Sequence, residues 1–217
     1  MKINQTKYEQ WKRKHSGFYQ KFNTQIIKWH LNKMFDYEYL LDTAKDFSNF
    51  TDFYYFHSKN KKDLIELHIE KMFNEAANKG FNLEKDWVFE CLVVRLGNAF
   101  NGMFIENKII NTFMDLSPYI YCTKTDKEVD ILYKVDGIVE LMGVDKLAIQ
   151  IKPISFLSYD KGSEIPFHNR YTTEFGIEVF YVLYKDINTI VFNNVEIKLS
   201  NKDKIIKQIE NILVYKS

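Results

Sequence analysis

Asp136, Gln150 and Lys152 are the residues whose types and spacing could do chemistry. They lie in the stretch Lys124 to Pro153, KTDKEVDILYKVDGIVELMGVDKLAIQIKP. Strand-forming residues surround Asp136-Gly137, Gly143 to Asp145 offers a turn, and Leu147 to Ile151 reads as a buried strand. Side chains two apart on a strand share a face, so Gln150 and Lys152 point together while Ile149 and Ile151 point to the opposite, buried face. An amide and a lysine on one side of an apolar strand need partners, because burial without them is costly. A three-residue loop centred on Val144 would set Asp136 opposite Lys152. A loop of two or four residues would break that parity unless a bulge restored it, and the sequence leaves the loop open. A carboxylate, an amide oxygen and an ammonium on one sheet face make a workable phosphodiester-hydrolysing site. The carboxylate would hold a hard divalent cation through oxygen. The cation would acidify a bound water and offset phosphate charge, and the lysine would orient that water or neutralise charge as it develops.

At these residues, V-D-G-I followed by I-Q-I-K-P, the chain resembles the PD-(D/E)xK nuclease superfamily. The variant is one in which Gln replaces the second acid, familiar among type II restriction endonucleases. Val135-Asp136 takes the P-D position and Gln150-Ile151-Lys152 the (D/E)xK position, and the resemblance covers roughly residues 98 to 186. It implies an α/β (α+β) fold, with a mixed central sheet of the restriction-endonuclease type flanked by helices. It implies Mg²⁺ held by Asp136 and Gln150, and Lys152 orienting the attacking water. The Gln removes a negative charge from the metal site and leaves the number of ions open. The superfamily often carries a further glutamate on a helix before the sheet. Glu106 would fill that role and supply the carboxylate that Gln150 lacks. Asp130 competes with Asp136, because E-V-D-I-L-Y also resembles the entry to the second strand, and Asp130 shares parity with the others if that strand runs unbroken.

The implied partner is double-stranded DNA. Cleavage of a symmetric site favours a homodimer, since protein two-folds mirror palindromes, and a companion methyltransferase would protect the host. The alternatives are a catalytically inactive nuclease-fold DNA-binding protein, and an α/β interaction protein in which Lys152 merely pairs with Asp136.

The elements that must position these residues are legible in part. Asn98 to Phe113 carries Phe100, Met103, Phe104, Ile109, Ile110 and Phe113 as a broad apolar stripe at helical spacing, and Glu106 sits within it. Trp87 to Leu96 reads as another helix, with Gly97 as the break between them. Lys61 to Lys79 reads as a helix burying Ile65, Ile69, Met72, Phe73 and Ala76, ended by Gly80. Pro153 to His168 reads as a polar loop, Val179 to Tyr184 as a buried strand, Thr189 to Leu199 as an edge hairpin and Lys202 to Tyr215 as a closing helix. Asp126, Glu128 and Glu140 read as surface charges. The helical part, residues 1–97, would form an N-terminal subdomain with DNA contacts beside a core at 98–217.

Net charge is only +1, yet Met1 to Lys33 holds eight Lys or Arg against the single acid Glu9. Lys12, Arg13 and Lys14 in that arm are candidate phosphate contacts. Asn169 and Arg170 are candidate base readers, by the usual pairings of Asn with adenine and Arg with guanine. Tyr159 and Lys161 lie within reach of the same site. The Tyr- and Phe-rich segment 36–59 reads as core rather than as base-stacking surface. Cys91 and Cys122 lack metal-type spacing and read as buried free thiols of a cytoplasmic protein. No phosphate-binding Gly-rich loop, secretory signal or apolar run of membrane-spanning length is expected.

Overall fold

The computed structural model describes residues 22, 26–36, 39–40, 43–81, 83–143, 145–159 and 162–214. Lys12, Arg13, Lys14 and Lys161 lie outside these residues, as does the Tyr159 side chain. Within them the protein is mixed α/β, with eight α-helices and one six-stranded mixed sheet. The chain divides into two units, Met1–Phe104 and Ile105–Ser217.

The first unit is helical. Helices α1 (Lys28–Met34), α2 (Phe50–Ser58) and α3 (Lys62–Asn78) precede α4, which starts at Lys85 and ends at Met114 in the second unit. Asn49 starts α2 by accepting the Asp52 N–H at 3.0 Å, a side-chain cap for an otherwise orphaned donor. In α3, Ile65, Ile69, Met72 and Ala76 recur at helical spacing and are buried. Gly80 then turns the chain in the left-handed region at φ 78°. The aromatic segment is largely core: Phe35 and Phe53 are buried and Phe47, Phe50 and Tyr54 pack against the same cluster, though Tyr39, Tyr55 and Phe56 face out. His30 and His68 are buried too, their Nδ1 atoms 2.8 Å apart, and His30 Nε2 lies 3.3 Å from Glu75.

Gly97 does not break α4. The helix runs unbroken for 30 residues. A glycine inside a helix costs about 1 kcal/mol, and burial of Leu92, Leu96 and Phe100 around it outweighs that. The fused helix is long and apolar enough, by length and composition, to cross a membrane, contrary to the expectation of no such run. The core helix of a soluble protein passes the same test.

The second unit holds the sheet. Its strands are β1 (Ile120–Lys124), β2 (Gly137–Leu141), β3 (Asp145–Pro153), β4 (Val179–Asp186), β5 (Thr189–Phe192) and β6 (Val195–Lys198). They lie in sequence order, every neighbouring pair antiparallel except β3 and β4, which are parallel. A parallel pair needs a crossover, and α6 (Phe156–Tyr159) with α7 (Ile165–Phe175) provides it, so the expected loop is largely helical. Asn193 and Asn194, both at positive φ, close the β5–β6 hairpin. Leu147, Ile149 and Ile151 of β3 join a core with Ile109, Ile110 and Phe113 of α4 and with α8 (Lys202–Val214). Ala148 instead joins Tyr133, Val135 and Tyr171. Successive β3 side chains therefore enter two different cores, and the strand is buried on both faces.

Two expectations about the motif stretch are corrected here. Residues Lys127–Tyr133 form a helix, α5, not the start of a strand. Asp126 caps it, accepting the Val129 N–H at 2.8 Å, and Lys134 ends it in the left-handed region at φ 58°. The second correction is the register. Gly137 pairs with Ile149 and Leu141 with Asp145, so the three-residue loop is centred on Gly143 instead of Val144. Gly143 at φ 75° and Met142 at φ 53° take the left-handed positions that tight turn requires. The pairing is shifted by two residues from the one that would face Asp136 with Lys152.

Candidate functional site

Asp136 sits just before β2 and is 8% exposed. Its N–H donates to the Ile149 carbonyl at 2.9 Å. Its Oδ2 accepts the Ile151 N–H at 2.5 Å. The N–H groups of Ile149 and Ile151 face the β2 side of β3, so the carboxylate takes the place of the next backbone acceptor where β2 has ended. Burial, then the negative charge of Glu106, push the Asp136 carboxyl up to about 8, and Asp130 adds to the rise. The Ile151 N–H and the Lys152 charge pull the other way. Glu106 on α4 and Asp130 on α5 therefore both act on this carboxyl. Asp130 is exposed and on a helix, so it does not share the sheet face expected of it. Glu106 forms an ion pair with Lys124 at 3.1 Å.

Gln150 is 1% exposed, and its Oε1 is buried with no hydrogen-bond partner. Lys152, two residues on, is near the end of β3 and partly exposed. The acid that meets it is Glu164, at 3.2 Å, not Asp136. Its ammonium also lies 5.6 Å from the centre of the Phe156 ring. Glu164 occupies the N-cap position of α7 but makes no side-chain cap bond there. One carboxylate oxygen faces Lys152 and the other, Oε2, is buried and unpartnered. One turn on, His168 is buried, with its Nε2 unpartnered. Burial is the main cause lowering its pKa; the Glu164 charge and a bond to the Lys134 backbone oppose this. Its ring stands 5.2 Å from that of Tyr181, whose residue pairs with Gln150 across β3 and β4.

Glu164 and His168 are the residues that reading the sequence missed. A signal existed: Ile165-Pro166 marks a helix start, which puts Glu164 and His168 on one face at i, i+4. What the sequence could not supply is the crossover that folds this face back over β3. Arg170 is brought elsewhere. Its guanidinium donates to the Leu132 carbonyl and lies 4.8 Å from the Tyr133 ring, so it ties α7 to α5. Asn169 is exposed on α7, where its carbonyl accepts from Thr173.

The residues fit a hard divalent cation. The Glu106 charge raises the cost of ionising Asp136, which a dication would relieve, and the buried Gln150 oxygen lacks a donor. Among the described residues no group of three or more His, Cys, Asp or Glu side chains gathers to hold an ion. The amide, backbone oxygens and water would therefore complete the shell. No family model, curated protein or solved structure matches this chain.

Proposed function

We propose that the protein is a Mg²⁺-dependent DNA endonuclease of the PD-(D/E)xK type. It would hydrolyse phosphodiester bonds at a short specific double-stranded site, as type II restriction enzymes do. The observation that carries this reading is Asp136: a buried carboxylate, fixed by the Ile151 N–H, repelled by Glu106 and attracted by Lys152. Isolated buried carboxylates are costly, and this arrangement is what a cation site needs before its cation arrives.

In this reading Asp136 and Glu106 hold the ion, and Gln150 contributes its oxygen or positions a water. Mg²⁺ when bound would make that water acidic and offset the charge of the scissile phosphate. Lys152 directs the attacking water and faces the phosphate. Glu164, at 3.2 Å, fixes where the lysine's ammonium lies. Asp136 must lose its proton before it can bind the ion, so proton release accompanies loading. A homodimer matching a palindrome, a cytoplasmic location and a protecting methyltransferase belong to the same proposal.

Purified protein, supercoiled plasmid and Mg²⁺ test it. Wild type should give discrete bands, and Lys152→Ala should cut at least about a hundredfold more slowly while shifting DNA in a gel equally well. Full activity in Lys152→Ala would refute the assignment. Smearing would replace site-specific cleavage with unspecific cleavage. An intact plasmid with a gel shift would favour the DNA-binding alternative.

A further inference from the structure

Three buried acceptor atoms lie around the base of Lys152 with no donor for any of them. They are Gln150 Oε1, Glu164 Oε2 and His168 Nε2. Gln150 and His168 are 1% and 8% exposed, and the Glu164 side chain 14%. Their neighbourhood is fixed by three links. Gln150 and Lys152 share a face of β3. Glu164 meets Lys152 at 3.2 Å. His168 stands one turn from Glu164 and packs at a tilt against Tyr181, the residue paired with Gln150.

The state of the imidazole decides what these atoms want. Burial lowers the His168 pKa, which favours the neutral ring. With its proton on Nδ1, the neutral ring offers the unpartnered Nε2 as a lone pair. A carboxylate oxygen, an amide oxygen and an imidazole nitrogen are thus each buried and unpartnered on residues neighbouring Lys152.

We propose that Glu164 and His168, with the Gln150 oxygen as a ligand that serves this site when water takes its place at Asp136 and Glu106, form a second cation site that takes a transition-metal dication, of the Mn²⁺ or Zn²⁺ class. The nitrogen ligand sets this site apart from the all-oxygen pair Asp136 and Glu106, since imidazole suits transition metals and carboxylate with amide alone suits Mg²⁺. Lys152 binds the other oxygen of Glu164, so the carboxylate bridges ammonium and cation, and the lysine's charge weakens the site. The inference does not rest on the nuclease reading.

Mn²⁺ added to the whole protein without DNA tests it, read by pulsed electron paramagnetic resonance. Wild type should show nitrogen coupling from one imidazole, retained in Asp136→Asn and lost in His168→Gln. Glu164→Gln should weaken Mn²⁺ binding at least about tenfold. Lys152→Met should tighten it about tenfold by removing a like charge. Circular dichroism establishes that each variant is folded, and the Glu164 and Lys152 variants decide the matter if His168→Gln does not fold. Absence of nitrogen coupling in wild type, its persistence in His168→Gln, or unchanged binding in both Glu164→Gln and Lys152→Met would overturn the proposal. Absence of plasmid cleavage by the wild type with its nitrogen signal intact would instead strike the nuclease reading alone.

Discussion

At pH 8 and without divalent ions, Asp136→Asn should make the protein more stable. The folded protein holds the Asp136 carboxyl at about 8, against 3.8 for an ordinary aspartate. Between those values the folded chain keeps a proton that the unfolded chain has released. The contribution is therefore complete below about pH 3.8 and is lost as pH rises towards 8. A separation of about four pH units, at about 1.4 kcal/mol each, sets a ceiling of about 6 kcal/mol. Relaxation around the buried charge lowers that ceiling, which brings the expected effect to about 2–3 kcal/mol. Asn keeps the shape and an oxygen for the Ile151 N–H but never ionises. Urea unfolding in a chelator at pH 5, 6, 7 and 8 measures the difference between the two proteins. The difference matters because burial lowers His30, His57, His68 and His168, and lowered histidines make both proteins gain stability as pH rises toward 6.5. The variant should gain on wild type steadily from pH 5 to 8. Mg²⁺ at pH 8 should then raise wild type and leave the variant unmoved. A difference independent of pH, or wild type gaining on the variant as pH rises, would refute the reasoning.

A Cβ at Gly137 would come within 2.9 Å of Ile110 Cδ1 and 3.4 Å of the Thr123 carbonyl. Ile110 is buried, so Gly137→Ala should cost about 1–3 kcal/mol; an unchanged melting temperature would mean that Ile110 swings aside freely. Burial pushes the thiols of Cys91 and Cys122 up to about 12. Both should resist a thiol reagent at pH 8 until denaturant is added, and rapid labelling of the native protein would contradict that.

The parts of this structure that were legible in sequence are those set by local pattern. Ile65, Ile69, Met72 and Ala76 announce their helix by spacing alone, and the Gln150–Lys152 pairing on one face of β3 follows from the pleat. Asp130 was misplaced because Val129-Asp130-Ile131 alternates like a strand. The deciding signal was Asp126, a capping side chain that commits the next residues to a helix. Gly97 was misplaced for the opposite reason: a local preference of about 1 kcal/mol yielded to burial on either side. The register of β2 against β3 turned on which three residues make the loop, and only left-handed Met142 and Gly143 settle that. The meeting of Glu164 with Lys152 lies beyond local reasoning, because nothing within a strand's or a helix's period connects the two.

β3 and β4 run side by side in the same direction, so the chain must leave the sheet after Pro153 and return at Val179. Lys152 stands at the departure of that detour, and Glu164 within it. Hairpins form quickly from neighbouring sequence, whereas a long excursion closes slowly against chain entropy. On a ribosome, the β2–β3 hairpin with Asp136 and Gln150 can therefore be in place while the Lys152 ammonium still has no counter-ion. Its electrical environment is finished only when the returning strand docks, which ties the birth of this cleft to the threading of the chain.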